Sequence, residues 1–238
     1  MLLFPWLLSE RELHRRLVLL AKEGDAKKLA RLLKDSRVDV NYHEPRNGGT
    51  ALYYAAQRGH TECVRVLLQS RLVDVNSEIA PKDGLTMTFV DDYRFPSRIY
   101  VTPLHIACAR GYVEVVQELL RHPGINVNLD SNAMTPLHAA IRYGQRPVID
   151  VLLANAKGLD VNRAASGSSP LHYACELGSE SAAEVLLEHP LVSVYTKNKT
   201  GQNVLQVALS QGEVNIARMI KDREMARVRR SPPSLWVA

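Results

Sequence analysis

Residues Thr102 to Asn128 read TPLHIACARGYVEVVQELLRHPGINVN, and nearly every position carries a helix signal or a helix stop. Thr102 can supply an N-cap oxygen, and Pro103 stands at the first helical position, where a missing N–H costs nothing. Leu104, Ala107 and Cys108 then share one face at three- and four-residue spacing, and the small pair Ala107–Cys108 allows a neighbouring backbone to come close. Gly111, tolerant of positive φ, ends this helix. A second helix follows through Val113, Val116, Leu119 and Leu120 and stops at His122-Pro123-Gly124, leaving Ile125 to Asn128 as an extended arm. Neither helix is long enough to bury its apolar face alone, so the hairpin needs neighbours.

Working outward, the same pattern recurs. Thr135 opens TPLHAAIRYG, Ser169 opens SPLHYACELG, Thr50 opens TALYYAAQRG, and Asn203 opens the degraded copy NVLQVALSQG, at steps of 52, 33, 34 and 34 residues. This resembles the ankyrin repeat, whose period of about 33 and T-P-L-H-x-A signature match Thr102–Ala107 and Thr135–Ala140, and Ser169–Ala174 apart from the first residue. The resemblance implies an all-α solenoid of about six stacked helix-turn-helix repeats with β-hairpin fingers, the first and last acting as caps. Tyr100 and Ala133 stand where the family usually has a turn glycine, which puts those finger conformations in question rather than the fold. In the family, the histidines at 105, 138 and 172 are structural, bonding near the Thr cap and the adjoining loops, so no metal is expected from their register. Arm asparagines such as Asn41, Asn76 and Asn128, each eight residues after a Leu, resemble sites of asparaginyl hydroxylation in the family.

Composition agrees. The chain has 46% hydrophobic and only 6% aromatic residues, as a core of Leu, Val and Ala in a one-dimensional stack requires. Three cysteines, an odd number, argue against a disulfide framework and for a reducing compartment, here the cytoplasm or nucleus. There is no Gly-rich phosphate loop, paired-His zinc motif, nucleophile elbow or Cys-x-x-Cys pair, so the chain is expected to be non-catalytic with no cofactor.

In chain order, residues 1–8 are apolar but lack the basic start and small-residue cleavage site of a signal peptide, and are too short to span a bilayer. They read as a plug over the first repeat or as an interfacial anchor containing Trp6. The repeat domain is assigned to 9–218, with Ser9 and Glu12 as a capping box and repeats near 9–41, 42–76, 102–128, 129–162, 163–194 and 195–225. The Lys and Arg residues of the first repeat alternate with apolar positions and read as a solvated outer face. A basic tail is assigned to 219–238. Residues 218–230 hold six Lys/Arg against two acids, part of an overall charge of +5, and Arg227, Arg229 and Arg230 before Ser231-Pro232-Pro233 read as a solvated, disordered tail with Ser231 a candidate phosphosite.

The departure from period is the insertion 77–101, twenty-five residues where other junctions have six. Alternation at Leu85, Met87 and Phe89 suggests a lengthened hairpin finger, with Phe89, Tyr93, Arg94 and Phe95 either contacting a partner or folding back onto the repeats. The ankyrin resemblance implies recognition of a protein by finger tips and inner helices. Carried over to this chain, that surface includes Arg58, Arg110 and Arg142 in neighbouring rungs, with Tyr143 and Leu177 as apolar contacts, for an acidic or mixed-charge protein partner. The chain is thus expected to be a monomeric interaction module, scaffold or adaptor. The alternatives are a peripheral membrane or nucleic-acid adaptor using both ends, and a targeting or regulatory subunit of an enzyme. Nucleic acid is disfavoured because nothing aromatic interleaves the tail arginines.

Overall fold

The computed structural model describes residues 8–45, 48–79, 101–131 and 133–230. Among them are twelve helices in six antiparallel pairs: α1 (Glu10–Glu23) with α2 (Ala26–Leu32), α3 (Ala51–Gln57) with α4 (Thr61–Leu68), α5 (Pro103–Arg110) with α6 (Val113–Leu120), α7 (Pro136–Arg142) with α8 (Arg146–Asn155), α9 (Pro170–Glu176) with α10 (Glu180–Glu188), and α11 (Val204–Ser210) with α12 (Val214–Arg230). Their starts follow from the openers. The hydroxyls of Thr50, Thr102, Thr135 and Ser169 each accept the backbone N–H three residues on, and Pro103, Pro136 and Pro170 occupy the first turn. Ser9 caps α1 by accepting from Glu12 N–H, while the reciprocated box forms at Asn203 and Gln206.

The odd-numbered helices pack on one another in order to form an inner layer, and the even-numbered ones form the outer layer. One apolar cluster runs through the stack from Leu17 to Ile220. The insertion does not interrupt it: α3 lies directly on α5 and α4 on α6. At the base of the inserted segment Ile79 N–H donates to the Val101 carbonyl at 3.2 Å, so the chain leaves and re-enters the stack at one point.

The arms are tied by a ladder of asparagines. Asn41 Nδ2 donates to Leu72 O at 2.7 Å while its Oδ1 accepts from Asp74 N at 2.8 Å. Asn76 repeats this with Gly124 and Asn126, Asn128 with Gly158 and Asp160, and Asn162 with Leu191 and Ser193. Within each arm, the side chain two positions before the asparagine (Asp39, Asp74, Asn126 or Asp160) accepts the asparagine's own N–H. The recurring pattern thus has two jobs: the first residue folds the arm and the asparagine fastens it to the next.

Two expectations are corrected. The fingers are not β-hairpins among the described residues; they close on single bridges, Ser131 with Met134, Ala165 with Ser168 and Lys197 with Asn203, because six connecting residues leave no length for a ladder. Ala133 takes the turn glycine's left-handed conformation at φ 60°, as Gly167 does at φ 85° in the next finger, where Ser166 is left-handed as well at φ 52°. The tail expected from residue 219 is helical through Arg230, since KDREMARVRR contains good helix formers and no Gly or Pro, and Arg223 anchors it by donating to the carbonyls of His189 and Val192.

Candidate partner-binding surface

Each inner helix ends in a pair of residues followed by a left-handed glycine, and the stack brings these ends into rows. Arg58 caps α3 and Arg110 ends α5, each immediately before Gly59 and Gly111; Tyr143 and Leu177, the C-caps of α7 and α9, continue that row. Arg142 falls one residue earlier, in the adjoining row with Gln57, Ala109 and Glu176. The three arginines therefore do not form a single line. Arg58 and Arg142 are exposed, Arg110 and Tyr143 are half-buried, and Leu177 is 47% exposed despite its apolar side chain. Arg142 leans forward one repeat: its Nη1 donates to Tyr173 Oη at 3.0 Å, and this bond raises the guanidinium above its ordinary pKa. Phe89, Tyr93, Arg94, Phe95 and Ser231 lie outside the described residues.

At the N-terminal end, Lys22 Nζ reaches both carboxylate oxygens of Glu44 at 2.9 Å and lies 4.0 Å over the Tyr54 ring, whose hydroxyl donates to the same carboxylate. This ties the first finger to α1 and α3. No sequence spacing pointed to it, because the three residues come from three separate elements. On the outer layer, Arg65 bridges to Glu118 in the next repeat and Arg146 to Glu184.

The histidines are spent on the fold. His105 Nε2 lies 3.0 Å from Met134 O, and a carbonyl can only accept, so Nε2 carries the proton and Nδ1 accepts from Thr102 Oγ1 at 2.8 Å. His138 repeats this with Ser168 and Thr135, and His172 with Gln202 and Ser169. Burial pushes His105 and His138 down to about 4. Among the described residues, no cluster of three or more His, Cys, Asp or Glu side chains is placed to hold a metal ion. The thiols are buried and free, and burial pushes Cys63 up to about 11 and Cys175 up to about 12, which leaves little thiolate for chemistry. No described helix is long and apolar enough to cross a membrane.

A family model described as ankyrin repeats (3 copies) matches residues 17–90, 91–165 and 156–230. Alpha-latrotoxin-Lg1a of Latrodectus geometricus is 34% identical over 128 residues, covering 53% of this chain and 8% of the toxin, so the chain spans less than a tenth of that relative's length. Putative ankyrin repeat protein FPV223 of fowlpox virus is 27% identical over 141 residues, covering 52% of this chain and 96% of the viral protein. Among solved structures, the ankyrin repeat domain of Bcl-3, a member of the IkappaB protein family, superposes with a TM-score of 0.71 at 21% identity, covering 87% of this chain and 85% of that one. At that identity the likeness is one of fold.

Proposed function

This chain belongs to the ankyrin repeat family, and we propose that it is a non-catalytic scaffold or adaptor that holds a protein partner on the ends of its inner helices. Ankyrin repeats are generic protein–protein interaction modules, and the family is generally non-catalytic. The observation that carries the finer reading is what the inner-helix ends leave at the surface. The buried histidines and cap hydroxyls bond within the stack, whereas Arg58, Arg142 and Leu177 are exposed at the helix ends, Arg142 keeping its bond to Tyr173, and Tyr143 is half-buried next to Arg142. Aromatic, apolar and guanidinium side chains on one surface suit a protein partner of acidic or mixed charge. Residues 77–101, with Phe89, Tyr93, Arg94 and Phe95, are assigned to the same partner as an added finger.

The test compares capture from native extract by the intact chain, by R58E/R142E with L177D, and by a chain whose residues 80–98 are replaced with a six-residue finger. A protein captured by the intact chain and lost with the triple substitution supports the helix-end surface. Equal capture by both overturns it. Loss on shortening the finger alone moves the contact to the insertion.

A further inference from the structure

A groove of about 780 Å³ runs along α1, on which α2 and α3 are the helices packed among the described residues. One end of it is lined by Arg11, Arg15 and Arg16, all exposed, and among the described residues none of the three has an ion pair or hydrogen bond. Other cations along the groove are already engaged: Lys22 is held by Glu44, and Lys28 by Asp25. Beyond the arginines the groove carries Leu19, 52% exposed, at the register where Ile106 in α5 is buried beneath its neighbours. At the far end of α1 stands Glu23.

We propose that this groove is a docking site for a short acidic segment of a protein partner, with its carboxylates on Arg11, Arg15 and Arg16 and an apolar side chain against Leu19. The proposal rests on the reading of the chain as a protein-binding module, and adds a second contact at the N-terminal cap together with the chemistry of what it takes. From Arg11 to Glu23 the helix rises about 18 Å, the span of roughly five extended residues. Guanidinium groups pair with carboxylates through two parallel N–H bonds, so three unpaired ones in adjacent turns favour clustered Asp or Glu. The distribution of charge selects a peptide over the other polyanions. Glu12 sits among the arginines and Glu23 closes the groove. A phosphate backbone or an anionic bilayer, negative along its whole length, meets both carboxylates. A peptide can confine its acids to the arginine end and place neutral residues beside Glu23.

The experiment measures fluorescence anisotropy of a labelled peptide made of Glu, Asp and two Leu at one end and neutral residues at the other, at physiological ionic strength. Its Gln/Asn analogue, a DNA duplex and phosphatidylserine vesicles serve as the other probes. The intact chain is expected to bind the acidic peptide at least about tenfold more tightly than the neutral analogue. R11E/R15E/R16E is expected to lose that preference, L19D to weaken binding with the charges intact, and R58E/R142E to leave it within about twofold. These substitutions are all at exposed positions, and circular dichroism verifies that each variant is folded. Equal losses in the α1 and helix-end variants would mean general attraction to a basic protein and would overturn the site. So would duplex or vesicle binding tighter than the peptide and lost with R11E/R15E/R16E. Replacing Leu2, Leu3 and Trp6 by Ser tests the remaining occupant: a gain of more than about tenfold assigns the groove to the chain's own first residues and overturns the proposal. Loss of extract capture in R58E/R142E/L177D with peptide binding intact separates failure here from failure of the helix-end reading.

Discussion

Gly111 adopts φ 77°, and a Cβ built on it falls 2.3 Å from Gln145 Oε1, a side chain held in place by its own bond to Ala109 O at 3.2 Å. Gly144 is also left-handed, at φ 65°, but has nothing within 4 Å of the same position. The two glycines therefore separate conformational strain from steric exclusion. Gly144→Ala is expected to cost about 1 kcal/mol from the left-handed backbone alone, and Gly111→Ala roughly twice that or more, because Gln145 must give up its packing as well. Chemical denaturation of both variants checks the difference, and equal losses would mean that Gln145 yields freely. The histidines give a pH signature. In the unfolded chain an imidazole takes its proton near its ordinary 6.5, while in the fold His105 and His138 resist it down to about 4. Between those values the unfolded state binds more protons, so their contribution is intact above pH 6.5 and is lost as pH falls towards 4, on the order of 3 kcal/mol for each. Thermal melts across that interval should slope downward with acid, and His105→Gln with His138→Gln should flatten the slope.

At the scale of the element, what was legible was whatever rests on local chemistry. Thr102, Pro103 and Gly111 announce a helix start and stop within ten residues, and the same signals at 50, 135, 169 and 203 placed five inner helices. Partnership between elements was not legible in the same way. Glu44, Lys22 and Tyr54 meet only because the first finger folds over α1, and Arg142 left the row of Arg58 and Arg110 because its helix carries the arginine one residue earlier before the glycine. The last turn of α12, at Arg227 to Arg230, is not legible in its charge density, which suggests disorder; the absence of Gly or Pro before Arg230 is the signal that carries the helix through. The asparagine ladder lay between these cases. Its recurrence at Asn41, Asn76 and Asn128 was visible, but the two-bond role, which Asn162 shares, belongs to neighbouring arms. Asn76→Ala removes the bonds to Gly124 O and Asn126 N across the insertion, and is expected to cost about 1–2 kcal/mol. Asn155→Ala, which loses only an exposed bond to Val151 within α8, is expected to cost under about 0.5 kcal/mol. Urea titration distinguishes them, and similar small losses would show that water replaces the ladder without penalty.

For the whole molecule, stability in a stack comes from each repeat and its interfaces with the next, so an insertion matters only if it separates those interfaces. Here it does not. The helix pairs on either side of 80–100 pack directly, Asn76 spans the junction, and Ile79 and Val101 close its base. Replacing 80–98 with a six-residue finger should therefore leave the inter-repeat contacts among the described residues in place while shortening the loop that must be closed on folding, a gain on the order of 1 kcal/mol. The shortened chain is expected to melt within a few degrees of the intact one, or slightly above it, as a single cooperative transition. A melting point lower by more than about 5 °C, or two separate transitions, would mean that the insertion bears part of the junction's stability. The outcome also governs how partner capture is interpreted. Only if the shortened chain is as stable as the intact one can lost binding be ascribed to missing contacts from Phe89, Tyr93, Arg94 and Phe95 rather than to loosening of α3 against α5.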